Sequence, residues 1–388
     1  MTPVRELSSL RRAHDAEMER LHGWPERSPW IRRAVAALPR DHFAPDRLWQ
    51  WDGHAYVPVD RDIDPGRWAG LVYGSPHEAA VTQVIGGLAT SSLSCESVVA
   101  DMLDCLGVRP GHHVLELGTG TGRNAALLAH RAGPGRVVSI ETDPGLAEHA
   151  RQRLKKSGAD VQVIVGDGAA GRPQAGTSEP FDRVISTYAV DAVPWAWVEQ
   201  TRPGGRIVTP WGHLGLVSLT VAGDGNSARG HVQGLAQFMP ARGGSGGPDG
   251  DFSRVRAGRE PEHEHHVRLD LSPLHADWHL RFALRVLLPD VHIAVSTDTD
   301  GTNAWLNDST ASWAAFYAQD DGTVLVCQGG PRRLAEGLEE AWNWWRAAGE
   351  PDLYDWGMTV TPERQWMWVR EESTSMPVFP GGAGPVAE

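Results

Sequence analysis

Three glycines alternating with threonines close the run Val114-Leu-Glu-Leu-Gly-Thr-Gly-Thr-Gly122. The residues ahead of them have the composition of a buried parallel strand, and Arg123–Arg131 behind them reads as a helix. Strand, glycine turn and helix in that order bring backbone up to a ligand at the carboxyl edge of a sheet. A dinucleotide site needs its third glycine one turn into the helix, as G-x-G-x-x-G. Here the spacing is G-x-G-x-G, and Arg123 stands where that glycine belongs. With an acid, Glu116, inside the strand end, the turn of Gly118, Thr119, Gly120 and Gly122 reads as a pocket for S-adenosylmethionine (AdoMet). The ribose of AdoMet carries two vicinal hydroxyls. Glu141, ending the next strand, can accept from both; a solvated acid at a strand end is the plain alternative. Asp167, in Gly166-Asp-Gly168, can accept from the adenine amino group while the backbone at Gly168 meets the ring; the alternative is an ordinary turn.

Strands and helices must alternate to hold such a pocket, and they do. Strands are expected at Val137–Glu141, Val161–Val165, Asp182–Ser186 and Arg206–Thr209, with helices at Glu96–Leu106, Gly145–Ser157 and Trp195–Gln200. That order predicts a doubly wound α/β sheet, a Rossmann-like AdoMet-dependent methyltransferase of class I. Leu214–Val221 and Val232–Phe238 read as a closing antiparallel pair. Upstream, Leu7, Leu10, His14, Met18 and Leu21 recur at helical spacing, and Pro29–Leu38 reads as a second helix. Residues 41–90, rich in Asp, Gly, Pro and Trp, read as irregular.

A chain of 388 residues suggests two domains. We expect a catalytic domain at 1–242, a Gly-rich linker at 243–251, an α+β accessory domain at 252–370 and a disordered tail at 371–388. In the accessory domain Arg281–Leu288, His292–Ser296, Ser312–Tyr317 and Thr323–Gln328 read as strands. Arg332–Ala348 reads as a helix, and Met358–Val360 with Gln365–Val369 as a final strand pair. Leu338, Trp342 and Trp345 share one helical face and suit a core, while Trp344 points elsewhere and is the better candidate for peptide contact.

The net charge of −13 argues against nucleic acid and against an anionic membrane surface as partners. Three cysteines, Cys95, Cys105 and Cys327, lack metal-ligand spacing and fit a reducing cytosol. The charged Met1–Leu21 segment is no signal peptide, and no apolar run is long enough to span a bilayer, so a cytoplasmic protein is expected. His263, His265 and His266 have no partner cluster, and no metal is expected.

Residues 29–242 resemble the protein-L-isoaspartate O-methyltransferases. Ile31–Pro45, with its Pro-Arg-x-x-Phe-x-Pro turn, is similar to that family's N-terminal signature. Ser91–Met102 aligns without gaps to its Q-T-I-S-x-P-x-I-V-A-x-M segment. Gly166–Gly168, Phe181–Ile185, Arg202–Pro210 and Phe238–Pro240 follow in the family's order. The resemblance implies transfer of a methyl from AdoMet to a peptide carboxylate, leaving S-adenosylhomocysteine. An ionised carboxylate needs no general base, only alignment. Ser94 matches the serine that holds the acceptor's other oxygen, although a Ser-rich turn capping the next helix is the alternative. The resemblance adds Ser92, Leu93 and Thr142 to the AdoMet pocket and Cys95 to the substrate side; Arg123 is placed there too, and Asp191, after the fourth strand where substrate enters, is read as orienting peptide, with a plain surface acid as the alternative.

The family's Gln, Pro and aromatic positions in that segment are here Ser91, Glu96 and Ser97. A carboxylate at Glu96 facing the pocket would repel the substrate, and Arg123, in place of an aromatic, could offset it. The accessory domain looks like the tail of methyltransferases found beside ATP-grasp (graspetide), lanthipeptide and lasso-peptide maturation enzymes. The leading expectation is therefore methylation of one Asp side chain in a ribosomally made, cross-linked precursor peptide, giving aspartimide or isoaspartate. A general isoaspartyl repair enzyme is the alternative. A methyltransferase for small carboxylic acids and a non-catalytic peptide-binding module are further rivals, and the oligomeric state stays open.

Overall fold

A computed structural model describes residues 3–173, 179–212, 214–241 and 252–371. Two compact units result. One takes residues up to 229 with 236–242 and 360–363; the other takes 230–235, 243–359 and 364 onward. The expected linker at 243–251 and the tail from 372 lie outside the described residues.

The first unit opens with α1 (Pro3–Arg20) and α2 (Trp30–Ala37). Between 41 and 90, where an irregular stretch was expected, the chain forms an antiparallel sheet and a helix. The strands are β1 (Arg47–Trp51), β2 (Tyr56–Asp60), β3 (Ala80–Ile85) and β4 (Leu88–Leu93), in the order β2-β1-β3-β4, with α3 (Pro65–Val72) between β2 and β3. The strands are five or six residues long. β1 and β2 bury one residue each, Leu48 and Val59, too few to print a period of two on the sequence.

Then come α4 (Glu96–Leu106), β5 (Val114–Leu117), α5 (Arg123–Ala132), β6 (Val137–Glu141), α6 (Pro144–Ser157), β7 (Val161–Val165), β8 (Phe181–Ser186), α7 (Trp195–Glu199), β9 (Thr201–Trp211) and β10 (Gly215–Val221). The strand order is β10-β9-β8-β5-β6-β7, parallel from β9 to β7, with β10 antiparallel to β9. β5, β6 and β7 run outward in one direction, and β8 restarts on the other side of β5. This is the doubly wound order expected, and its switch point lies where β5 and β8 end, where open α/β sheets bind ligands. β5 and β6 are buried throughout, so they read as continuous apolar runs without alternation. Asp143 caps α6 by accepting from Gly145 N at 2.8 Å and Leu146 N at 3.1 Å, with Pro144 opening the helix. The expected turn after β10 is closed by bonds from Ala222 N to Ser227 O at 2.8 Å and from Ala236 N to Leu214 O at 2.6 Å.

The second unit includes most of β11 (Ala228–Leu235), then α8 (Phe252–Arg256), β12 (His263–Val267), α9 (Ser272–Ala276), α10 (Trp278–Leu287), β13 (His292–Thr297), β14 (Thr302–Asn307), β15 (Trp313–Ala318), β16 (Val324–Gly329), α11 (Leu334–Ala347), β17 (Trp356–Val360) and β18 (Gln365–Val369). β12-β16-β15-β14-β13 form an antiparallel sheet, and β18-β17-β11 lie side by side. The segment read as a strand at Arg281–Leu288 is helix α10. Asp277 caps it by accepting from His279 N at 2.8 Å and Leu280 N at 3.1 Å, and Leu280, Ala283, Leu284 and Leu287 are buried at helical spacing. Leu338, Trp342 and Trp345 of α11 are buried, as core residues should be, and Trp344 is half-buried. His263, His265 and His266 are exposed on β12. Among the described residues no helix is long and apolar enough to cross a membrane.

Candidate active site

The glycine turn leaves β5 at Leu117 and enters α5 at Arg123. Gly118 has φ +92°, and a Cβ built there would lie 2.5 Å from Thr187 Oγ1 and 3.0 Å from Tyr188 Cδ1. No other residue fits that position. Gly118 N and Thr119 N donate to Ile140 O at 2.8 and 3.2 Å, which joins the turn to the end of β6. Thr187 N donates to Leu117 O at 2.9 Å and Thr187 Oγ1 to Gly118 O at 2.6 Å, which joins it to the end of β8.

Two acids support the turn from different levels. Glu141 at the end of β6 accepts from Gly120 N at 2.8 Å on one oxygen and from Asp143 N at 3.1 Å on the other. Each oxygen keeps a second lone pair. Glu116 lies beneath the turn, with no solvent exposure. Asn124 Nδ2 donates to it at 2.9 Å and the Ser139 hydroxyl bonds its other oxygen; Thr119 Oγ1 and Ser139 Oγ are 2.6 Å apart. Burial pushes the Glu116 carboxyl up to about 7, against the pull of the Ser139 and Asn124 hydrogen bonds. Glu116 therefore braces the turn from below rather than offering it a surface acid.

After β7, exposed Asp167 accepts from Ala169 N at 2.9 Å and caps one turn of 3₁₀-helix. Gly168 O accepts from Trp197 Nε1 at 2.8 Å, and a Cβ at Gly168 would overlap the Tyr188 hydroxyl. Thr142, just past Glu141, is exposed. Tyr188, the second residue after β8, thus lies against both Gly118 and Gly168. Burial, with the charges of Asp167 and Glu141 nearby, holds its phenol in the neutral form well above the usual range. Sequence reasoning missed Tyr188. Its place right after the strand that restarts the sheet was the available signal.

The Ser-rich segment ends β4 and opens α4. Ser92 and Ser94 are half-buried; Ser91 and Leu93 are buried. A Cβ at Gly120 would lie 3.7 Å from Ser91 Oγ and 4.0 Å from Ser92 O, so this segment runs beside the glycine turn. Ser94 does not cap α4: half-buried Cys95 holds that position and makes no side-chain cap bond. Arg40 Nη1 donates to Ser94 O at 2.6 Å, Arg40 Nη2 to Leu93 O at 3.3 Å and Arg40 Nε to Val72 O at 2.8 Å. Arg40 belongs to the Pro39-Arg40 turn and was assigned no role from sequence.

Glu96 has no solvent exposure, and Arg123, read from the sequence as able to offset its charge, does so. Both are buried, and the Arg123 guanidinium grips the Glu96 carboxylate with bonds of 3.0 and 2.9 Å. Burial opposes ionisation of Glu96, but Arg123 and Arg40 outweigh it and hold the carboxyl below its ordinary range. Asp191, between β8 and α7, is exposed, and its carbonyl accepts from Trp211 Nε1 at 2.9 Å.

The glycine turn thus lies at the switch point of the sheet, with an acid ending β6, an acid after β7 and the serine segment beside Gly120. Residues 18–229 match the family model for protein-L-isoaspartate(D-aspartate) O-methyltransferase. The Methanopyrus kandleri protein-L-isoaspartate O-methyltransferase is 35% identical over 243 residues, covering 61% of this chain and 94% of that protein. The Ignicoccus hospitalis protein-L-isoaspartate O-methyltransferase is 44% identical over 182 residues, covering 46% of this chain and 72% of that protein. A solved protein-L-isoaspartate O-methyltransferase structure superposes with a TM-score of 0.50 at 20% identity, covering 95% of this chain and 99% of that one, a likeness of fold. The chain belongs to the protein-L-isoaspartate O-methyltransferase family, and it is an AdoMet-dependent carboxyl O-methyltransferase.

Proposed function

We propose that the chain methylates the side-chain carboxylate of an aspartyl-derived residue in a peptide, with the isoaspartyl form as the acceptor its relatives point to. The observation that carries this is the run of Ser91 and Ser92 beside Gly120, within the stretch that matches the family. Bound AdoMet supplies an electrophilic methyl on a sulfonium. The turn from Gly118 through Thr119 and Gly120 to Gly122 holds the methionine part. Glu141 takes the ribose hydroxyls on its spare lone pairs, and exposed Thr142 follows at the rim. Asp167 and the backbone at Gly168 meet the adenine, and Ser92 and Leu93 close the donor pocket from the acceptor side. Ser94 Oγ donates to one carboxylate oxygen and leaves the other free to take the methyl, with Cys95 and Asp191 bordering the peptide. The acceptor oxygen forms its bond to carbon as the carbon–sulfur bond breaks, so a cation and an anion become a neutral ester and a neutral thioether, and no proton moves. Alignment and exclusion of water are what the protein contributes.

A second reading is that the acceptor is an ordinary Asp of a ribosomally made, cross-linked peptide; the following backbone nitrogen then attacks the ester, expels methanol and closes an aspartimide, which water can open to isoaspartate. The second unit favours it: it is a separate folded body wholly beyond the family match, and such a body can supply a docking surface for a peptide. Two peptides of one sequence, one isoaspartyl and one aspartyl, separate the readings. The first predicts a gain of one methylene in mass on the isoaspartyl peptide alone. The second predicts ester or dehydrated product from the aspartyl peptide.

A further inference from the structure

The Ser94 segment and the glycine turn are parts of different elements, yet one buried knot ties them. Arg123 is the first residue of α5, directly after Gly122. Glu96 is the first residue of α4, two residues after Ser94. The two side chains meet in a two-pronged bond at 3.0 and 2.9 Å, and both are buried. Arg40 lies 3.8 Å from the same carboxylate and grips Ser94 O at 2.6 Å from the other side. Arg123 Nε also reaches Leu38 O at 3.4 Å. The fork of an arginine on a carboxylate fixes distance and orientation together, which a point charge does not. A buried ion pair adds little stability over apolar residues of similar size, so what this one contributes is sought in geometry.

We propose that the Glu96–Arg123 pair, backed by Arg40, is a positioning strut that holds the acceptor serine in register with the donor turn. This rests on the reading of Ser94 as the acceptor-side residue and Gly118–Gly122 as the donor side. The strut touches neither reactant. Its effect falls on the alignment of the two, so it acts on turnover and leaves donor binding alone.

Full-length wild type, E96M/R123M, R123K, S94A and the triple variant E96M/R123M/S94A are compared by kcat and KM for AdoMet, using whichever of the two paired peptides is methylated. E96M/R123M removes both charges of the pair but leaves buried Arg40 without its carboxylate neighbour, so it is expected to melt below wild type and is assayed at a temperature where both chains are folded. The strut predicts an unchanged KM for AdoMet and a kcat lowered about 10- to 100-fold, the scale of a small misalignment. R123K should recover part of that loss. S94A should cost less in the E96M/R123M background than in wild type, because a misplaced serine has less to lose. Wild-type kcat in E96M/R123M, a loss confined to KM for AdoMet, or full additivity with S94A overturns the strut. If E96M/R123M fails to fold, R123K carries the same comparison: a lowered kcat at unchanged KM supports the strut, and unchanged kcat overturns it. A wild-type chain that methylates neither peptide overturns the underlying reading, and the strut with it.

Discussion

At the scale of single residues, the site divides into groups that face the cleft and groups that hold those groups still. Gly118→Ala puts a Cβ against Thr187 and Tyr188 at a left-handed φ. It should cost roughly 1–3 kcal/mol and abolish donor binding, read by denaturation and by AdoMet titration. Glu141→Gln keeps one carbonyl acceptor for two backbone donors, Gly120 N and Asp143 N. AdoMet affinity should fall by about tenfold or more, the effect of roughly 1.4 kcal/mol; an unchanged affinity in calorimetry would remove Glu141 from the ribose. Glu116 sets a pH dependence. Its folded pKa is raised from 4.5 to about 7, so between those values the folded chain binds the extra proton, and stability falls as pH rises through that window. Glu116→Gln, uncharged throughout and able to keep both the Asn124 and Ser139 bonds, should flatten that fall. The variant should therefore gain roughly 3 kcal/mol relative to wild type between pH 4.5 and 8, read from denaturation midpoints. The places of the glycines, Glu141 and Asp167 were legible because each stands at a strand end, where the alternation of elements locates it. Tyr188 and the Glu96–Arg123 pair were not, because their places come from contacts between segments 20 to 70 residues apart.

At the scale of elements, legibility followed burial. β5 and β6, buried on both faces, read as strands on composition alone. The sheet of β1 to β4 did not, since most of its residues are half-buried and Pro58 and Trp51 break the pattern a strand would print. α10 carries apolar residues at both helical and alternating positions. Phe282, Leu284 and Val286 alternate as a strand would, and the cap at Asp277 is what marks the helix. Asp277→Ala should therefore destabilise the second unit by about 1 kcal/mol, the worth of a lost N-cap, visible as a lower melting temperature at unchanged fold by circular dichroism.

At the scale of the whole molecule, two units carry two different kinds of information. The first matches a family over residues 18–229, so its fold and reaction could be read in the sequence from motif order. The second was legible as a separate α+β body but not as a task. Trp313, fully buried there, anchors its core. Trp313→Ala should cost about 3–5 kcal/mol; if the second unit docks peptide, KM for a long peptide rises while the AdoMet dissociation constant stays at the wild-type value. The account as a whole is tested most directly by following a tritiated methyl group from AdoMet to an isoaspartyl peptide and to its aspartyl twin. It predicts label on one of these peptides in a base-labile ester, or released from it as methanol, and less of both when Ser94 is replaced by alanine. Label in a base-stable linkage, or no label either on peptide or in methanol at saturating donor, would contradict it.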